Sequence, residues 1–322
     1  MLRLIKKLIL VAKHLRSFYL PVYILREQPE TENAGLIIAY AGYSSIKRAY
    51  FGQLLFKGKP YSCALAGRYL FWRIHGALKR LKLKDEIVVA ETSFFSMRFF
   101  MGKKGFIVPE WLDMYINVSE PMAQMKNRAG SDISNAERLI RKNRLMHEIS
   151  REKSSFEIFY HSMYLPYVKS RYNETAIIMS PGEFKALSKT SSVLLIKNED
   201  DFIAGVLMER DRAGFYIKIL GIKDGNWEYV QSGAIGAIYY FSILEARKRG
   251  DSKLRIGATK PFLNDGLTRF KIGMTGQFDL KFDWERDYLW IGPGSNPEKP
   301  DILLEHRPFV YLGKDFKFHH NF

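Results

Sequence analysis

Over residues 3–19 apolar positions recur at helical spacing. Leu4, Ile5, Leu8, Val11, Ala12, Leu15, Phe18 and Tyr19 share one face, and Arg3, Lys6, Lys7, Lys13 and His14 take the other. The spacing predicts an amphipathic N-terminal helix within residues 1–30. Charges interrupt it too often for a bilayer span, and it lacks the unbroken apolar run and small-residue cleavage site of a signal peptide. Its basic face suits an anionic membrane surface; its apolar face suits the body of the protein equally well.

Further along, the pattern switches between strand and helix. Residues 36–42 (LIIAYAG) read as a strand, followed by a turn and the apolar run 50–56. A helical period covers 63–83, a β-branched run covers 86–93, and 105–118 continues the strand signal. The polar stretch 119–134, with Pro121 and Gly130, reads as a boundary between two halves. Beyond it, 134–144 predicts a helix capped by Ser134 or Asn135, with Glu137 in its first turn. A short strand at 145–150 precedes a helix at 154–172, capped by Ser154 or Ser155 and kinked or cut by Pro166. Another helix opens with Pro181 at its first position.

Three strands then succeed one another at 192–198, 202–210 and 214–222, joined by short turns that make an antiparallel meander. A long amphipathic helix at 233–250 ends on Gly250. A strand at 253–259, a short helix at 266–273 and strands within 278–292 complete the order. This predicts an α/β (α+β) chain in four parts: the N-terminal helix (1–30), a first half (31–125), a second half (132–292) and a tail (293–322) without an assigned function.

Composition alters this picture in two ways. The chain has 50 Lys and Arg against 34 Asp and Glu, a formal net charge of +16, which attracts polyanions: nucleic acid, anionic lipid or a polyphosphate cofactor. A single cysteine, Cys63, excludes an intramolecular disulfide and a cysteine metal site. In its SCALAG context it reads as a small buried thiol. His319 and His320 adjoin without a second ligand pair, so no metal is expected.

The order meander, turn, long helix, strand, short helix, strand resembles the core of the GNAT-superfamily acyltransferases. The stretch Gln231, Ser232, Gly233, Ala234, Ile235, Gly236, Ala237 approximates that family's pyrophosphate-holding turn, with Ala234 where glycine is usual. Free N–H groups at a helix start form an anion site, and glycine lets phosphates approach. Such a turn also suits ordinary helix packing. The run 256–276 resembles the Fem-type branch more specifically, through Gly257, Gly266, Leu267, Phe270, Lys271 and Gly273. The residues after Gly257, Ala258 and Thr259, are larger than the pair usual there.

The resemblance implies a GNAT-like mixed sheet flanked by helices, with a companion GNAT-like half before it. It gives Lys271 the role of stabilising charge that develops during transfer, with Phe270 shaping the same pocket. A solvated lysine on a short helix is the plainer alternative. Arg141, beside Arg138 and Lys142, and Arg171 match basic positions of the family and are candidate substrate contacts. The resemblance covers about half the chain and includes no coiled-coil arm. Glu209 and Asp265 are candidate proton acceptors, with Tyr216 no better placed than either.

The function so implied is N-acyl transfer from acyl-CoA, acetyl-CoA foremost, to an amine such as an amino sugar or a cell-envelope or polysaccharide precursor. It would take place in the cytoplasm, on the inner face of the membrane if the N-terminal helix binds lipid. Aminoacyl transfer RNA is the alternative donor. A non-catalytic protein that binds membrane or nucleic acid through the same fold is the alternative of another class; no RNA-binding signature or helix-turn-helix pattern supports it.

Overall fold

The computed structural model describes residues 17–28, 36–80, 86–128, 131–172, 178–211, 214–283, 285–294 and 308–320. Most of the expected N-terminal helix lies outside them. Its last part does not: Tyr19–Glu27 is a strand.

The strands in chain order are β1 (Tyr19–Glu27), β2 (Ile37–Ala41), β3 (Tyr61–Leu70), β4 (Glu86–Thr92), β5 (Phe106–Pro109), β6 (Leu112–Asn117), β7 (Leu145–Ser150) and β8 (Ser191–Asn198). They continue with β9 (Asp201–Asp211), β10 (Gly214–Ile222), β11 (Lys253–Thr259), β12 (Gly276–Phe278), β13 (Tyr288–Pro293), β14 (Val310–Leu312) and β15 (Phe318–His320). They form two mixed sheets flanked by helices, in the orders β15-β14-β5-β13-β4-β2-β1-β3 and β12-β6-β11-β10-β9-β8-β7.

The chain divides into two compact units. One comprises 1–112, 260–265 and 280–322; the other comprises 113–259 and 266–279. This corrects the expected boundaries. The polar stretch near 125 is no linker: Met122–Arg128 is a helix of the second unit, and β6 before it belongs to the second sheet. The end of the expected second half also changes sides, because β13 pairs with β4 on one edge and β5 on the other. Strand pairing is non-local, so sequence adjacency does not dictate membership.

In the first unit, among the described residues, the helical reading of 63–83 holds for Ile74–Arg80 and, as a 3-10 turn, for Phe71–Arg73. Tyr61–Leu70 pairs with β1 along its full length, from Glu27↔Tyr61 to Tyr19↔Leu70. Its spacing suggested a helix, but it is an edge strand on which Ser62, Cys63, Ala64 and Leu65 are exposed, and pairing overrides the local pattern. Cys63 is therefore exposed rather than buried. A bulge leaves Ala66 unpaired between Leu65 and Gly67, whose φ of +146° needs glycine. The run 50–56 lies mostly in the helix Ser45–Leu55, capped by Ser44, whose side chain accepts from the Lys47 N–H.

In the second unit, β8–β10 form the expected antiparallel meander, β7 pairs antiparallel with β8, and β11 joins parallel to β10. One face is covered by the helix Ala234–Lys248 and by Ser131–Lys142, which begins one turn before the expected cap. Ala136, Ile140, Ala237, Ile238 and Ile243 meet Leu194, Val206, Met208 and Ile217 there. The other face packs Val193, Leu195 and Leu207 under Phe156, Phe159 and Phe184.

Those aromatic residues come from Pro181–Ser188 and from a helical run that changes register twice: Lys153–Ile158 is α, Phe159–Tyr164 is π and Leu165–Tyr172 is α again. Pro166 neither ends nor cuts the helix. It follows the π turn, whose wider ladder relieves the clash a proline ring makes with the preceding carbonyl. Glu152, not a serine, occupies the start position. No helix among the described residues is long and apolar enough to cross a membrane.

Candidate functional site

Two irregularities meet at the centre of the second sheet. On the β9 side of β10 the register slips between Ile217↔Met208 and Ile219↔Leu207, leaving Lys218 as the extra residue of a bulge. On its β11 side only Phe215↔Leu254 and Tyr216↔Arg255 are paired, although both strands run on for several residues. Beyond Tyr216, therefore, β10 and β11 share no further paired residues.

Within β11, two residues before its end, Gly257 takes a φ of +73°. The helix Gly266–Gly273 then returns beneath the strand end, where the Thr259 and Thr268 hydroxyls bond at 2.5 Å in the interior. This helix delivers Lys271. Its side chain is only 4% exposed, and Nζ donates to the Ala258 carbonyl at 2.8 Å. The same Nζ lies 3.8 Å from the point where a Cβ on Gly257 would stand. Lys271 is thus a buried ammonium fixed at the strand end, not a solvated one. Burying a charge is costly unless it serves a purpose or is well paired.

The other expected site residues are dispersed. Phe270 turns towards the long helix, with its ring edge-to-face against Tyr239 at 5.2 Å. Glu209 sits beside Tyr216 across β9 and β10, bound by Lys218 at 3.0 Å and by the Thr190 hydroxyl at 3.1 Å. Tyr216 is flanked by two cations, Lys218 and Arg255, at 4.6 and 4.8 Å from its ring centre. Asp265 belongs to the first unit, where its N–H donates to the Phe262 carbonyl. Arg141 is exposed, and Arg171 donates to the Tyr167 hydroxyl at 2.8 Å.

At the expected pyrophosphate turn, Trp227–Gln231 is a short helix and Gly233 follows as N-cap of the long helix with φ +98°. Gln231 is exposed, while Ala234 and Ala237 are fully buried in the core. The two glycines face protein. A Cβ on Gly233 would come within 2.7 Å of the Leu139 side chain, and one on Gly236 within 3.0 Å of Ala136. Close helix packing accounts for both glycines without a phosphate, the plainer of the two readings of this turn. The N–H groups of Ala234, Ile235 and Gly236 still begin the helix.

The first unit holds a second unusual lysine, one with no mark in the sequence. Lys260 Nζ lies 3.6 Å from the Trp111 ring centre and 4.8 Å from that of Tyr50. Burial pushes its pKa down to about 8; Glu110 and Asp265 pull it up, and Lys47 adds to the lowering. Nearby, Lys47 pairs with Glu110 at 2.7 Å, and Tyr40 donates to Glu91 at 2.6 Å, where burial and the carboxylate raise the phenol's pKa strongly. No group of three or more metal-ligating side chains occurs among the described residues.

No family model and no curated protein matches the chain. It is similar to the solved structure of FemX over 84% of its own length and 88% of that chain, at 12% identity and a TM-score of 0.43. It is similar to L-PGS from Bacillus licheniformis over 88% and 84%, at 8% identity and 0.39. A GCN5-related N-acetyltransferase-like protein from Streptococcus suis is similar over 83% and 82%, at 12% and 0.34. These identities are low and none of these TM-scores reaches 0.5, so the functional reading stands on the geometry alone.

Proposed function

We propose that the second unit is an N-acyltransferase whose acyl donor enters where β10 and β11 part. The observation that carries the reading is the buried Lys271 ammonium, held on the Ala258 carbonyl beside Gly257. Attack by an amine on a thioester carbonyl places negative charge on the carbonyl oxygen. A preorganised cation in a dry site lowers the energy of that oxyanion. Collapse expels the thiolate, and the proton shed by the amine ends on the thiol or in solvent. Glu209 is already bound by Lys218 and Thr190, so the first task of the site is orientation rather than proton abstraction.

Acyl-CoA is the donor favoured, with an amino sugar or another envelope or polysaccharide precursor as the amine. The net charge of +16 supports a second reading, aminoacyl transfer RNA as donor, because both donors are polyanions.

The test is release of free CoA thiol from acetyl-CoA with glucosamine and a panel of other amines, for the parent and Lys271→Met. Methionine keeps length and drops charge. Turnover should fall about a hundredfold while calorimetric CoA affinity stays within roughly twofold. Because Lys271 is buried, a thermal melt of the variant must accompany the assay. Transfer at the parental rate by Lys271→Met overturns the assignment. Binding of aminoacyl transfer RNA with indifference to CoA moves the donor to the second reading.

A further inference from the structure

Three stretches of the chain, 1–26, 59–84 and 92–109, contain no Asp or Glu. They carry 6, 7 and 3 Lys and Arg, which is the entire formal excess of +16; the rest of the sequence is balanced. All three fall in the first unit. Taken whole, the first unit carries +11 of the +16, and the second unit holds the remaining +5.

The same unit exposes a group of aromatic rings. Trp72, on the turn Phe71–Arg73, is 44% exposed, and Phe99, on the helix Phe94–Met101, is 36% exposed. Buried Phe71 links them, with ring centres 4.8 Å from Trp72 and 5.2 Å from Phe99. Phe95, one turn before Phe99 on the same helix, is 59% exposed. These rings are rooted in the core through Phe71 and Phe100, so the surface is rigid rather than a mobile loop. Cations border it: Arg73 and Arg98 are exposed, and Lys103 Nζ lies 5.0 Å from the Phe99 ring centre.

We propose that this face, with Trp72 and Phe99 at its centre and Arg73, Arg98 and Lys103 at its rim, docks on an anionic phospholipid bilayer. Large apolar rings that a soluble surface would ordinarily hide can enter the headgroup boundary, with tryptophan suited to its polar level. The lysines and arginines then meet lipid phosphates, and each contributes roughly a fivefold gain in binding near such a surface. A nucleic acid would use the same charges, but it rewards flat stacking platforms. Here the Phe71 and Phe99 rings meet edge-on at 78°, and three of the four rings concerned are phenylalanines without a polar handle.

The full chain should be tested by co-sedimentation with vesicles of phosphatidylglycerol and, separately, of phosphatidylcholine, at low and physiological salt. Binding should require phosphatidylglycerol and weaken with salt. The double variant Trp72→Ser/Phe99→Ser should bind about tenfold more weakly or worse, and its melting temperature should stay within about 2 °C of the parent because both sites are exposed. Arg73→Glu/Lys103→Glu should lose binding at low salt most of all. Brominated phosphatidylglycerol should quench parental tryptophan fluorescence, and Trp72→Phe should remove most of that quenching. No binding to phosphatidylglycerol overturns the proposal. So does a Trp72→Ser/Phe99→Ser variant that binds like the parent, which would leave the attachment to residues 1–16. Transfer RNA bound more tightly than vesicles, with loss on the same substitutions, would reassign the face to nucleic acid.

Discussion

Lys271 and Lys260 lie eleven positions apart in sequence and owe their environments to opposite devices. Lys271 stays in the interior with a carbonyl partner supplied by its own neighbourhood, Ala258. Lys260 sits between aromatic faces, and its pKa falls to about 8 chiefly because burial disfavours its charge. The consequence for stability has a definite sign. An unfolded lysine holds its proton to about pH 10.4, whereas the native one releases it near 8. Between those values the unfolded chain binds more protons, so stability rises with pH; below 8 the cost is constant. Lys260→Met should therefore stabilise the protein at pH 7, on the order of 1 kcal/mol after allowance for solvent screening and the lost Trp111 contact. The gain should shrink towards pH 10. Urea midpoints at the two pH values measure it, and an unchanged gain would show that burial of charge is not the cause. At this scale the sequence was uneven. The Fem-type segment marked Lys271 by its neighbours Phe270 and Gly273, but nothing near Lys260 foretold Tyr50 or Trp111, which arrive from far along the chain.

Among elements, the centre of the second sheet was legible because β8, β9 and β10 follow each other by tight turns and the long helix has an unmistakable period. The bulge at Lys218 and the early parting of β10 from β11 were not, since both are properties of pairing rather than of composition. The two glycines at the start of the long helix show how one pattern supports two readings. Their partners, Leu139 and Ala136, lie about a hundred residues earlier. Gly236→Val should consequently destabilise the fold by about 1–3 kcal/mol through overpacking against Ala136, with or without CoA. Exposed Gln231 separates packing from binding. Gln231→Glu should leave the denaturation midpoint unchanged and weaken CoA binding several-fold by repulsion of its phosphates. Calorimetry at low salt reads the affinity, and equal affinity would remove this turn from the donor site. The misreading of 63–83 has the same origin as the missed bulge. An edge strand with small exposed side chains lacks the alternation that identifies a strand, and its partner β1 supplies the decision.

At the level of the whole molecule, the chain crosses between its two units at 112/113, 259/260, 265/266 and 279/280. A cut at the polar stretch near 125, where the sequence invited one, does not yield a domain. A fragment of residues 1–125 would lack β13, the strand that lies between β4 and β5 and carries the fully buried Trp290. Such a fragment should show little cooperative unfolding in circular dichroism and should aggregate through its open strand edges. A fragment with a cooperative melt would mean that β13 is dispensable to the sheet.

That interleaving has a consequence for how the protein is made. β4 and β5 leave the ribosome with a vacant lane between them, and the strand that fills it is translated about 180 residues after β5, a delay of roughly 10–40 s at ordinary elongation rates. For that interval the earliest part of the nascent chain presents two unsatisfied β edges, while β7–β11, encoded later but all translated before β13, can already assemble around the tight turns of β8–β10. The half synthesised first is thereby the last to be completed, and it is the one that has to be shielded from other chains while it waits.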